Sequence, residues 1–271
     1  MPNPLAADDL RLAVLDMALA AGSGHIGGSF SAAEILAILY REVLRVDPKN
    51  PGWPDRDRLI LSKGHAAPML YACLAERGFF ERDLLNTLRD LNSPLQGHPC
   101  MFKLPGVDMS TGSLGMGLSA AAGMALALRA RKSGARVYAL LGDGELQEGM
   151  NWEAMMSLMR WDLDTVTPIV DLNGVQLDGT TEDILPNQAD IVSKLRGFGL
   201  SVRTCDGHDA QSIREALAWA RGAGAPHAVV AHTVKGKGVS FMEGQSAWHG
   251  KPISPEEYDL ARAEIEGRRA L

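Results

Sequence analysis

Apolar residues return at helical spacing from Leu5 to Ala21, at Leu10, Val14, Met17 and Leu19, and Gly22 stops the run. Ser31 to Val43 reads as a second helix. Ser31 stands at its N-cap and Glu34 follows three residues on, the spacing of a capping box. Further helices are predicted over Ala67–Arg77 (ended by Gly78), Ser119–Lys132, Asn151–Met159, Ile191–Arg196 and Gln211–Arg221. The tail from Ser254 to Leu271 reads as a charged helix capped by Ser254, with Pro255 at its first position. Between the helices lie short apolar runs bounded by turn residues: Arg58–Ser62, Val137–Leu141, Thr167–Leu172, Ser201–Cys205 and His227–His232. Strands alternating with helices predict an α/β fold, a mostly parallel sheet with helices on both faces. No repeat, linker or break in composition divides the chain, so residues 1–271 read as one domain.

In such sheets ligands sit outside the carboxyl ends of the strands. Two segments fall there. Gly142-Asp-Gly-Glu145 follows the run that ends at Leu141, and Asp171-Leu-Asn-Gly-Val175 follows the next one. A glycine turn between strand and helix usually cradles a phosphate on free backbone N–H groups, yet carboxylates repel phosphates. A hard cation reconciles the two. Magnesium takes oxygen ligands, few of them from protein, with phosphate oxygens and water completing its shell. Asp143 and Asn173 offer side-chain oxygens, a nearby loop carbonyl offers another, and a diphosphate supplies the remaining charge. The plainer alternative is two ordinary turns, since Asp-Gly and Asn-Gly both favour them.

Five of the seven histidines adjoin a glycine, where chance gives about one in five. They are His25, His65, His98, His208 and His249. Loops of this kind bring backbone close to a ligand while an imidazole faces the cleft, and imidazoles suit hydroxyl-rich substrates. Any one of them also reads as a turn histidine satisfied by local backbone. Zinc finds no set of four ligands at suitable spacing around His98 and Cys100. A Ser-His-Asp hydrolase lacks its G-x-S-x-G elbow.

Composition narrows the class. The chain has 271 residues, 46% hydrophobic and 22% charged, with a net charge of −6. No basic block suggests nucleic acid. The longest apolar run, Ala120–Leu128, is too short to span a bilayer. Cys73, Cys100 and Cys205 are scattered, and the first residues carry acids where a secretory leader is basic, so a cytoplasmic protein is expected.

Together these segments resemble the transketolase family in its diphosphate-binding half, from about residue 10 to about residue 255. Leu141-Gly-Asp-Gly-Glu-Leu-Gln-Glu-Gly149 with Trp152-Glu-Ala154, closed by Asp171-Leu-Asn173, is similar to the family's thiamine diphosphate signature. Ser23-Gly-His25, Leu61-Ser-Lys-Gly-His-Ala66, Gly97-His-Pro99, Thr111-Gly-Ser-Leu-Gly115 and Trp248-His-Gly250 match its other blocks in order. The resemblance implies thiamine diphosphate and Mg²⁺, or another divalent ion such as Ca²⁺ or Mn²⁺. It implies a metal site of Asp143, Asn173 and the Val175 carbonyl. The implied cofactor set is His65, Gly112, Ser113, Leu114, Gly142, Asp143, Gly144, Glu145, Asn173, Val175 and His249. Within it, Gly144 and His65 meet the diphosphate and residues 112–114 lie against the aminopyrimidine. His25, His98 and His249 are implied to face the sugar hydroxyls in catalysis. The implied reaction moves a two-carbon ketol unit from a ketose or its phosphate to an aldose.

Glu148 resembles a family glutamate between two cofactor-binding halves. Glu145 has no role beyond favouring the positive end of a helix. Three positions depart from the full-length pattern: Ile26 and Ser113 replace proline, and Met116 replaces glutamine. The first two resemble the variant with separate subunits. The family's pyrimidine-binding and C-terminal domains, with the glutamate that activates the cofactor and the residues that grip the acceptor's phosphate, are expected on a partner chain. The expected assembly is a heterotetramer built around a dimer of this chain. The α subunit of a 2-oxoacid dehydrogenase shares the metal site but should lack the histidine blocks. Deoxyxylulose-phosphate synthases are long single chains, and a non-catalytic cofactor-binding module has no need of every site position.

Overall fold

A computed structural model describes residues 6–186, 190–222 and 224–269. Leu5, where the periodicity places the start of the first helix, and the last residues of the tail lie outside the described residues. Helices α1 (Ala7–Ala21), α2 (Ile26–Ser31) and α3 (Ala33–Ile38) precede strand β1 (Arg58–Leu61), and α4 (Ala67–Glu76) and α5 (Gly117–Ala130) follow it. The order continues β2 (Val137–Gly142), α6 (Gly149–Arg160), β3 (Val166–Leu172), α7 (Thr181–Ile184) and α8 (Ile191–Gly197). It closes with β4 (Ser201–Asp206), α9 (Ala210–Trp219), β5 (His227–His232) and α10 (Pro255–Arg269). Among the described residues the sheet has five parallel strands in the order β1-β2-β3-β5-β4. No helix of the described residues is long and apolar enough to cross a membrane.

The strands are apolar throughout because both faces of the sheet are covered. Their side chains alternate between two cores. Leu59, Tyr138, Leu140, Ile169 and Val229 pack under α1, α3, α4 and α9. Val137, Ala139, Leu141, Val170 and Val230 pack under α5, α6 and α8. Local signals end the helices as expected: Gly22 takes a left-handed φ of 55° after α1. Asp209 accepts the Ser212 N–H at 2.6 Å at the start of α9. Ser254 and Glu257 exchange hydrogen bonds as a capping box on α10.

The segment predicted as a helix from Ser31 to Val43 is helical over Ala33–Val43, but its capping box and its single unbroken α-helix are overturned. α2 ends at Ser31, α3 begins at Ala33, and Leu39–Val43 forms a π-helical turn. Ser31 does not cap, because its hydroxyl donates to Asp171 at 2.6 Å and to the Gly28 carbonyl at 3.2 Å. Glu34 is likewise taken by distant partners, Arg11 at 2.7 Å and His208 at 2.9 Å. Tertiary hydrogen bonds outcompete the local box.

Those bonds belong to a buried polar knot. Lys63, just after β1, and Asp171, in β3, form an ion pair whose side chains are 2% and 0% exposed. The Lys63 ammonium also donates to the Gly28 carbonyl at 2.8 Å, and Thr233 donates to Asp171. Burial alone would raise the Asp171 carboxyl, but Lys63, then Ser31 and Thr233, outweigh it and hold the group below its ordinary value. Removing one member of such a pair leaves a bare buried charge. Lys63→Met is therefore expected to lower unfolding free energy by about 3–5 kcal/mol. Arg203→Ala, which breaks an exposed pair with Glu215, should cost less than about 1 kcal/mol. Urea denaturation of the two variants beside the parent checks the contrast.

Candidate active site

The carboxyl ends of β2 and β3 lie side by side, with Gly142 paired to Asp171. This register brings the two acidic segments together, and the Asp143 N–H donates to the Asp171 carbonyl at 3.2 Å. Asp143 is buried. Its carboxylate accepts the Gly144 N–H at 2.8 Å and, from across the gap, the Gly174 N–H at 2.5 Å. Burial and then Asp171 push its carboxyl up to about 6, against those two N–H groups and Lys63. Asn173 uses its side-chain oxygen on the Val175 N–H at 3.1 Å. The Val175 carbonyl accepts from Lys235 Nζ at 3.0 Å.

A cavity of about 260 Å³ opens at this rim. Of the residues singled out from the sequence, Gly142, Asp143, Gly144 and Glu145 line it from β2, and Asn173 and Val175 from β3. His65, Leu114 and His249 complete that set. Lys63 and Lys235 also face it. Gly112 and Ser113 lie outside the lining, and the His98 ring packs against Gly112. Glu148 also lines the cavity and is exposed, whereas Met116, likewise exposed, lies outside the lining.

Four of the glycine-flanked histidines cluster beside the cavity, His65 and His249 in the lining and His25 and His98 outside it. The His25 ring centroid lies 5.4 Å from His65, 5.4 Å from His249 and 6.3 Å from His98, and His65 lies 4.8 Å from His249. The fifth, His208, is elsewhere: it spans Glu34 and the Val234 N–H. Burial, then Arg89, lowers His25 to about 4. Burial, then Lys235, lowers His249 to about 3. His65 is held well below its ordinary value by burial and then Lys63, and His98 is lowered by burial and then Arg89. All four are neutral near pH 7 and can both donate and accept. The glycine beside His65 has a steric reason: a Cβ on Gly64 would stand 2.6 Å from Thr111 Oγ1 and 2.8 Å from the Gly112 nitrogen.

Glu145 gains a task that the sequence did not reveal. Both carboxylate oxygens turn into the protein, accepting the Gly142 and Gly115 N–H groups at 3.0 Å each and the Ser62 hydroxyl. One buried side chain thus braces the ends of β1 and β2 and the loop before α5. Lys235 was also missed, although a lysine just past the last strand of a parallel sheet stands at the ligand rim. Burial and then Lys63 lower it to about 8.

The chain matches the family described as transketolase, thiamine diphosphate binding domain, over residues 3–266. It is 45% identical over 246 residues to the 6-deoxy-6-sulfo-D-fructose transketolase subunit SqwG of Clostridium sp. (strain MSTE9), covering 90% of this chain and 89% of that one. An apulose-4-phosphate transketolase subunit of Actinobacillus succinogenes is 43% identical over 256 residues, with 94% and 92% covered. Human transketolase is 44% identical over 250 residues, which are 91% of this chain but 39% of that one. The crystal structure of transketolase from Campylobacter jejuni superposes with a TM-score of 0.90 at 33% identity, covering 96% of this chain and 42% of that one.

Glu145→Gln tests the brace. An amide puts N–H donors where the carboxylate now faces only donors, so the variant should lose about 1–3 kcal/mol of stability. Gln147→Glu, at a partly exposed neighbour, should change it by less than about 1 kcal/mol. Chemical denaturation of both variants decides the point.

Proposed function

The chain belongs to the transketolase family as its thiamine diphosphate binding domain, and from that premise we propose that it is the N-terminal subunit of a split transketolase. We read residues 1–271 as one diphosphate-binding domain. The observation that carries the reading is the cavity at the ends of β2 and β3, where acid and amide oxygens meet two lysines and the imidazoles of His65 and His249, with His25 packed beside them. When bound, thiamine diphosphate supplies the carbanion chemistry that moves a two-carbon ketol unit.

The donor set suits a diphosphate joined to a divalent cation. Asp143, its carboxyl pushed up to about 6 by burial and Asp171, favours a positive ion beside it. Asp143 and Asn173 side chains and the Val175 carbonyl would hold Mg²⁺, with diphosphate oxygens and water completing the shell. Lys235, His65, His249 and the Gly144 backbone would face the diphosphate. Gly112, Ser113 and Leu114 would lie along the aminopyrimidine. His25, His98 and His249, kept neutral by burial and nearby cations, would exchange hydrogen bonds and protons with the sugar's hydroxyls. Partial burial of His25 and His249 limits competition from bulk water for their donors, whereas His98 stands exposed.

Partner and compartment follow the same reading. The relatives whose length the chain nearly matches are named as subunits, which supports a separate C-terminal chain carrying the activating glutamate and the phosphate grip. A second copy of this chain, and with it a heterotetramer, goes with the same reading, and Met116, Met150 and Met156 are apolar side chains left exposed for such contacts. Three free cysteines suit the cytoplasm. The substrates are a ketose and an aldose, free or phosphorylated.

Two measurements test this. Ketol transfer is expected only when the purified chain is mixed with a C-terminal transketolase subunit, and robust turnover by the chain alone would overturn the split assignment. In the reconstituted complex Asp143→Ala should weaken thiamine diphosphate binding in Mg²⁺ by about 100-fold or more. Unchanged affinity by calorimetry, with unchanged circular dichroism, would remove Asp143 from the metal site.

A further inference from the structure

Arg89 stands on the open side of the histidine cluster, outside the cofactor cavity. Its backbone takes a left-handed φ of 65°, which a side-chain-bearing residue adopts only when its surroundings impose it. The Arg89 N–H donates to the Leu95 carbonyl at 2.8 Å, fixing the turn. The guanidinium then reaches the loop before α2. Nη1 donates to Ser23 Oγ at 2.6 Å, and Nη2 lies 3.4 Å from His25 Nδ1. Gly97 leaves the space for this reach, since a Cβ there would stand 3.0 Å from Cζ, Nε and Nη2 of Arg89. The fork is therefore held at three places: on its own backbone, on Ser23 and against the chain beside His98.

A guanidinium has donors and no acceptor. The ring nitrogen that faces it must present its lone pair, and in a neutral imidazole the one proton then sits on the other nitrogen. We propose that Arg89 is a positioning residue for His25: anchored on Ser23, it fixes the Nε2–H tautomer and makes His25 a hydrogen-bond donor to substrate. Among the described residues no hydrogen bond engages His25 Nε2, so that donor is free. The neighbouring ring repeats the arrangement, with Lys235 Nζ 3.0 Å from His249 Nδ1. An ammonium is also donor-only, so His249 too offers Nε2–H, on a ring 5.4 Å from that of His25. Two such donors suit a sugar carbonyl oxygen that gains negative charge as its carbon takes up a new carbon–carbon bond. His25 and His249 thus begin the reaction as donors rather than bases. The inference rests on the transketolase reading for the nature of the substrate, but not for the tautomer.

The lowered value of His25 agrees, with Arg89, His98 and Lys235 as the charged or titratable groups acting on it after burial.

The test is nitrogen-15 spectroscopy of the imidazoles in the full chain at pH 7, with His25 assigned by His25→Gln. In the parent, His25 Nδ1 should appear bare and Nε2 protonated. In Arg89→Met the two signals should move toward each other as both tautomers populate, and the midpoint for forming imidazolium should rise from about 4. Arg89→Lys, with one donor group in place of a fork, should fall between. In the reconstituted enzyme, Arg89→Met should lower kcat by about 10- to 100-fold. The acid limb of its rate profile should move to higher pH, because removing the nearby cation eases protonation of His25. A proton on Nδ1 in the parent, or an unchanged spectrum in Arg89→Met, would overturn the proposal. Because the spectrum needs neither cofactor nor turnover, a chain that shows the tautomer shift yet transfers no ketol group retains this inference and loses the transketolase reading. The urea midpoint of Arg89→Met, a change at an exposed side chain, confirms that the variant is folded when its spectrum is read.

Discussion

Lys63 and Asp171 meet out of solvent, and nearly every part of the site is hung from that contact. Asp171 is the last buried strand residue before the Asn173 loop, and its backbone carbonyl receives the Asp143 N–H. Lys63 leads directly into Gly64 and His65. Through Gly28 and Ser31 the pair holds α2, which follows His25, and through Thr233 it holds the segment that leads to Lys235. A buried pair of this kind contributes little net stability compared with an apolar replacement. What it supplies is position: each charge is satisfied by only one arrangement of the surrounding loops. The sheet provides the shelf, and the pair fixes how four separate segments sit on it.

Burial then sorts chemically similar groups into different tasks. Asp143 and Glu145 lie two residues apart and are equally removed from water, at 3% exposure each. Glu145 is saturated by protein donors from three segments and serves the scaffold. Burial raises both carboxyls, but Asp143 accepts only two backbone N–H groups and has the Asp171 charge beside it, which favours a positive ion there. The histidines divide in the same way. His208 is consumed by Glu34 and Val234, whereas His25, His65, His98 and His249 crowd together beside the cavity with their protons withheld by burial and by neighbouring cations. Lys235, Lys63 and Arg89 are cations that keep the imidazoles neutral.

The match to relatives named as subunits, and to well under half of full-length transketolases, fits what the geometry offers. This chain brings together carboxylate, amide and carbonyl oxygens, two lysines and four imidazoles at one rim of the sheet. Arg89, His98 and Met116 are left exposed.

Much of this was legible along the chain, because the signals involved are local. Apolar runs, glycine stops and capping residues placed the five strands and most helices within a few residues, and turn chemistry at strand ends pointed to the rim where the cavity opens. The pairing of β2 with β3 is written in neither strand, and it is what joins Asp143 to the Asn173 loop. The sequence misjudged Ser31 and Glu34 because a capping box is a local pattern, while their partners Asp171, Arg11 and His208 lie far away in sequence. Glu145, Lys63, Lys235 and Arg89 stayed without tasks for the same reason: a charged side chain declares its type in the sequence but not its partner. Sequence alone determined which residue types stand at the rim of the sheet, since period and turn propensity are properties of neighbours. Only the tertiary structure decided which of them brace and which remain free for a ligand, since burial and charge partners arise only when distant segments meet.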